Sequence, residues 1–149
     1  MFQGSVASIH IAPAEGAPTI SVEEAHAVPG KGLRGDRHYR EEGMDPEDEI
    51  TLIESETLEA LARDHSLFMQ PGETRRNVVT RGVPLNHLVG REFRVGGIRL
   101  RGVKLCEPCS HLARLTQAEA LPALVHRGGL RAQILEEGVI RVGDRIEPA

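Results

Sequence analysis

The sequence predicts a mainly β domain whose sheet closes into a barrel, with one or two short helices. Three observations carry this. Sixteen Gly and nine Pro are spread along the chain as punctuation between short apolar stretches. Several of those stretches alternate apolar and polar residues with the period of a strand, and only one shows clear helical spacing. Many short strands leave many exposed edges, which closure of the sheet removes.

Taken in order, Val6, Ile9 and Ile11 open a first strand, and Ile20, Val22, Ala25 and Val28 alternate as a second, with Glu23-Glu24 interrupting the pattern. Pro29-Gly30-Lys31-Gly32 turns the chain. Ile50 to Ile53 is a short buried strand, and Ser55 after it caps a helix to about Asp64 whose apolar face is Leu58, Leu61 and Ala62. Beyond Pro71-Gly72, strand composition returns in Asn77 to Thr80, Glu92 to Val95 and Ile98 to Arg101, and Gly96-Gly97 joins the last two as a hairpin. A second helical region is expected between Cys109 and His126, with Pro122 near the start of its later turn. Leu130 to Leu135 and Val139 to Val142 are strands, and Gly143-Asp144 makes the last turn.

The 149 residues suit a single domain over 1–149. A chain of this size buries about 70% of its unfolded surface, so neither cysteine is needed as a staple. A net charge of −4 and four aromatic residues (Phe2, Tyr39, Phe68, Phe93) argue against nucleic acid as a partner. The opening stretch lacks a basic segment followed by an apolar one, and no apolar run reaches the ~20 residues of a membrane span. A cytoplasmic protein with no membrane partner is the expectation. In a reducing compartment, two cysteines three positions apart are more often chemical than structural.

Three constellations carry candidate chemistry. The first is Cys106-Glu107-Pro108-Cys109. A zinc half-site would need completion by residues such as His111 and His126. A redox pair would lack its βαβ context, and Pro108 disfavours helical geometry at Glu107. Two buried small hydrophobes, or a single reactive or metal-binding thiolate, are the other readings, and spacing does not choose among the four. The second is Thr74-Arg75-Arg76-Asn77-Val78-Val79-Thr80-Arg81, whose guanidinium forks and hydroxyls suit a phosphate or another planar anion. With sixteen Arg to two Lys in the chain, a solvated charged face is the competing account. The third is Gly32-Leu33-Arg34-Gly35-Asp36-Arg37-His38, either a turn in which Asp36 bonds nearby backbone N–H groups or a loop presenting Asp36 and His38 to a ligand. His10, His26, His65 and His87 show no ligand spacing.

The order of these pieces carries a resemblance. Gly32 to His38, Ile50-Thr51-Leu52-Ile53-Glu54, Gly72 to Gly82, Leu88 to Gly96, Cys106 to Cys109 and Val142-Gly143-Asp144 together resemble the MOSC domain, named from the C-terminal part of molybdenum cofactor sulfurase, over residues 5 to 147. The resemblance implies a MOSC-type β-barrel and a family cysteine that carries sulfur or ligates molybdenum held by a pterin dithiolene. Cys109, following Pro108, fits that cysteine better than Cys106. Arg75, Arg76, Asn77 and Thr80 are the implied cofactor contacts, with Asp36 and His38 nearby.

The implied activity is reduction of an N-hydroxylated small molecule by oxygen-atom transfer, with His38 as proton donor and electrons from a separate donor protein, since neither an iron–sulfur ligand set nor a dinucleotide fingerprint is present. The alternatives are a persulfide carrier using Cys109 and loaded by a sulfur donor, and a non-catalytic cofactor-binding module. Two departures from the family pattern stand out. An acidic stretch, Tyr39 to Asp48, replaces the His-Gly-Gly segment of many bacterial relatives, and the N-terminal barrel domain of the amidoxime reducers has no counterpart. The pocket is therefore expected to be open or finished by a partner subunit, which makes an oligomer possible. Arg75, Arg76, Asn77 and His38 are expected to line one cavity with Cys109, one of the two arginines being structural, while Cys106 packs in the barrel wall.

Overall fold

The computed structural model describes residues 1–107 and 126–149. Among them are strands β1 (Gly4–Ile11), β2 (Ile20–Val22), β3 (Glu24–Val28), β4 (Gly32–Leu33) and β5 (Ile50–Glu54), helix α1 (Ser55–His65), and strands β6 (Val78–Arg81), β7 (Glu92–Val95), β8 (Ile98–Leu105), β9 (Leu130–Ile134), β10 (Gly138–Arg141) and β11 (Arg145–Pro148). The order β11-β7-β8-β9-β5-β6-β1 closes on itself because β1 also pairs with β11, giving a seven-stranded barrel. Strand β2 extends β1 outside the ring, and β10, β3 and β4 form a separate three-stranded sheet. The mainly β barrel expected from the sequence is what the chain forms.

The alternation of side chains builds two cores. Leu52 and Val78 point into the barrel with Ile9, Phe93, Leu100 and Leu130, while their neighbours Ile53 and Val79 point outward against Leu61, Leu67 and Met69. This is why β5 and β6 read as continuous apolar runs: a parallel pair is covered on both faces. A parallel pair also needs a crossover, which α1 and a 3-10 turn over Pro71–Thr74 supply. The crossover returns the chain to the end of the barrel where β5 starts, and so delivers Arg75, Arg76 and Asn77 there.

Helix α1 differs from expectation at its first turn. Glu54 is the cap and makes no side-chain capping bond, and Ser55 is already helical. The buried residues are Thr57, Ala60 and Leu61, with Leu58 packed at the edge and Ala62 half-buried. The expected strand from Ile20 to Val28 is two. β2 bonds to the barrel, β3 to β10 and β4, and the chain changes sheets at Glu23. The second helical region falls outside the described residues.

Gly129 fixes the start of β9. Its φ is +109°, and a Cβ there would lie 1.9 Å from the Leu52 carbonyl oxygen. Gly129→Ala combines positive-φ strain with a backbone clash and is expected to cost about 3 kcal/mol, read by urea unfolding.

Candidate functional site

One mouth of the barrel gathers the starts of β5, β6 and β9, the residues after β8 and the Asp36 loop around a cavity of about 220 Å³. Asp36, His38, Arg75, Arg76 and Asn77 all line it, and so does Cys106. Thr80 does not. It is fully buried within β6, three residues beyond Asn77 and away from the mouth, and its hydroxyl faces the Ile53 carbonyl of the neighbouring β5 at 3.5 Å. Cys109 lies outside the described residues.

The two adjacent arginines have different surroundings. Arg75 follows the 3-10 turn in the left-handed region, φ 62°, at a cost of about 1 kcal/mol for a side chain with a Cβ. Its Nη1 donates to the Ala17 carbonyl at 2.7 Å. Its Nε and Nη2 are buried and have no hydrogen-bond partner among the described residues. Burial, and then the Arg37 charge, hold its pKa below the ordinary arginine value, with Asp36 acting the other way.

Arg76 is buried and its donors are committed. Nε donates to Gly128 O at 2.8 Å, Nη1 to Thr74 O at 3.1 Å and Nη2 to Cys106 O at 3.0 Å. The Cys106 N–H donates to Gly129 O at 2.7 Å, so Arg76 pins a seam between the end of β8 and the Gly128-Gly129 turn. Gly128 is needed in this seam, since a Cβ there would sit 2.1 Å from Cys106 O.

Asn77 and Asp36 hold the rest of the wall. Asn77 Oδ1 accepts from the Thr51 N–H at 3.0 Å, and Nδ2 donates to His10 O at 3.2 Å, tying β1, β5 and β6. Asp36 accepts from the Ala12 N–H at 2.9 Å and the His38 N–H at 3.3 Å, the turn chemistry expected of it. The His38 ring is exposed at the rim. Desolvation there, and then Arg37, lower its pKa from 6.5 against the opposing pull of Asp36 and Asp48. It is therefore largely neutral at pH 7.

Arg37, Asp48 and Arg131 are among the lining residues to which the sequence gives no role. Arg37 makes no side-chain hydrogen bond or ion pair among the described residues, and its place inside Gly-Asp-Arg-His was the available signal. Asp48 and Arg131 approach to 3.5 Å at the rim, a pairing 83 residues apart that local sequence does not show. Cys106 is buried as expected, yet it borders the cavity instead of packing only within the wall.

Behind the wall, His10 is buried, with Nε2 2.8 Å from the Ser8 hydroxyl, and burial lowers its pKa from 6.5. The fold thus favours the neutral ring. As pH falls through 6.5 the unfolded chain takes up the proton first, so stability drops until the lower folded pKa is passed. Thermal melts at pH 7.5 and 5.5 are expected to differ more for wild type than for His10→Gln.

No curated protein matches the sequence. Among solved structures, the YuaD protein from Bacillus subtilis aligns at a TM-score of 0.83 and 18% identity, covering 99% of this chain and 97% of that one. YiiM from Geobacillus stearothermophilus aligns at 0.77 and 18% identity, covering 98% of this chain and 75% of that one. YiiM from Escherichia coli aligns at 0.68 and 20% identity, covering 100% of this chain and 70% of that one. At such identities the likeness is one of fold. The MOSC domain profile matches residues 23–147, from β3 through the site to β11, and the chain belongs to the MOSC domain family.

Proposed function

We propose that this MOSC protein binds the molybdenum cofactor and reduces N-hydroxylated compounds by oxygen-atom transfer. The observation that carries the reading is Arg75, whose buried Nε and Nη2 lack partners among the described residues at a cavity that Arg37 also lines. Leaving such donors unsatisfied costs about 1–3 kcal/mol each, and an anion restores both bonds. A cofactor bearing a phosphate fits that donor set. When bound, it would supply two-electron oxygen-atom chemistry at molybdenum.

The chain's own residues divide the remaining work. Arg75 holds the phosphate through Nε and Nη2 once a turn of the side chain opens these solvent-shielded groups to the cavity, and Arg37 adds positive charge to the same wall. Asn77 keeps one Nδ2 hydrogen beyond its bond to His10 O, available to a bound anion. Arg76 fixes the Cys106 carbonyl, and Cys109 three residues on is the proposed metal-ligating thiolate. His38 at the rim takes up a proton from solvent and, as the imidazolium, gives it to the departing oxygen, its lowered pKa favouring release. The net change consumes two electrons and two protons: the hydroxylamine N–O bond breaks, leaving an amine and water. The electrons come from a separate donor protein.

The test is metal and pterin analysis of protein purified from a host that makes the cofactor. Molybdenum and pterin are expected in equal amounts, and Cys109→Ser is expected to lose the metal and turnover with little change in melting temperature. Protein free of molybdenum but bearing a persulfide on Cys109 would replace this reading with sulfur transfer.

A further inference from the structure

The inner cavity, at about 220 Å³, is smaller than the ~300–1,000 Å³ of sites that enclose a small-molecule ligand. A second cavity of about 330 Å³ lies against it, and Thr19 and Arg75 line both. The same guanidinium builds each: Nη1 holds the Ala17 carbonyl, and so the Gly16-to-Pro18 loop that walls the outer cavity, while Nε and Nη2 remain free for a ligand.

The outer cavity differs chemically from the inner one. Besides Arg75, its one ionisable lining residue is Glu73. Glu73 Oε1 accepts from the Gln70 N–H at 2.7 Å, which fixes the carboxylate, and Oε2 has no partner among the described residues. Gly72 lets the Thr19 wall close in, because a Cβ there would lie 2.7 Å from Thr19 Oγ1. The Thr19 hydroxyl instead donates to the Gly72 carbonyl at 2.8 Å. An oriented carboxylate in a shallow slot matches adjacent amide and amino N–H groups on the edge of a flat heterocycle, which it can engage in two parallel hydrogen bonds.

We infer that the two cavities are one bipartite site with Arg75 at its waist: the inner part takes an anionic group, and the outer part takes a flat ring bearing N–H donors against Glu73. The inference rests on the cofactor reading above and assigns the ring half of such a ligand to residues that reading does not use.

Two probes separate the halves: pterin-6-carboxylate, followed by its own fluorescence, and inorganic phosphate as competitor. Wild type is expected to bind the pterin and release it to phosphate. Glu73→Gln keeps an acceptor for the Gln70 N–H but removes the charge, and is expected to weaken pterin binding about tenfold, the effect of one charged hydrogen bond. Gln70→Trp, which fills the slot from an exposed position, is expected to weaken it at least as much. Both should leave phosphate affinity unchanged. Should both variants bind the pterin like wild type while Arg75→Gln does not, the ring lies elsewhere: the inference falls and the anion site stands. Should wild type bind neither probe, both readings fall. Having two variants keeps the test informative if Gln70→Trp fails to fold.

Discussion

Arg75→Gln is expected to lower phosphate affinity about 100-fold, the effect of two charge-assisted bonds of roughly 1.5 kcal/mol each, and to yield protein stripped of cofactor. Stability should not fall. The variant loses one hydrogen bond, to Ala17, but removes two buried donors that have no partner among the described residues. The lost bond and its stranded carbonyl cost about 1–3 kcal/mol, and relief of each donor is worth about as much, so the two reliefs match or exceed the loss. Calorimetric titration with phosphate, beside urea unfolding of the same samples, checks both halves. A large loss of stability without a change in phosphate binding would make Arg75 a structural residue.

Arg76→Met should give the opposite result. Arg76 is 7% exposed, and its guanidinium donates to three carbonyls, those of Thr74, Cys106 and Gly128. Removing it strands all three, at an expected cost of about 3–5 kcal/mol, a large share of the ~5–15 kcal/mol that holds a domain together. Arg76→Lys keeps the charge but cannot span three acceptors with the same planar fork, so it should recover only part. Because the seam between Cys106 and Gly128 opens in both variants, alkylation of Cys106 is expected to speed up well below the unfolding midpoint. Unchanged urea midpoints would show that water replaces the guanidinium in this seam.

These neighbours show where sequence reading ended. The cluster from Thr74 to Arg81 suited either an anion or a solvated charged face, and one of its two arginines was expected to be structural. Which one it is depends on carbonyls 30 and 52 residues further along the chain, contributed by Cys106 and Gly128. It depends too on the left-handed backbone at Arg75, which no local pattern announces. The barrel was more legible because its signals are local. The β7–β8 hairpin follows from alternation around Gly96-Gly97, and β5 with α1 from an apolar run ahead of a single amphipathic stretch. Where a segment serves two sheets, as between Ile20 and Val28, composition looked continuous and only tertiary pairing revealed the break. Thr80 lies near the motif in sequence, but three residues of extended strand carry it about 10 Å from Asn77 and away from the cavity.

Closure of the ring by Gly4 against Ile146 also bears on how the protein is made. The pairing joins strands far apart in sequence, and contacts of such high sequence separation put folding in the slow, millisecond-to-second range of β proteins. During synthesis β1 can pair early with β6, but it waits for β11 until Pro148 has left the ribosome. Until then β1 and β7 present open edges, the state most prone to intermolecular pairing. A ligand bridging Asp36, Arg75 and Arg131 would bind the folded mouth and not the unfolded chain, and so would shift the folding equilibrium by mass action.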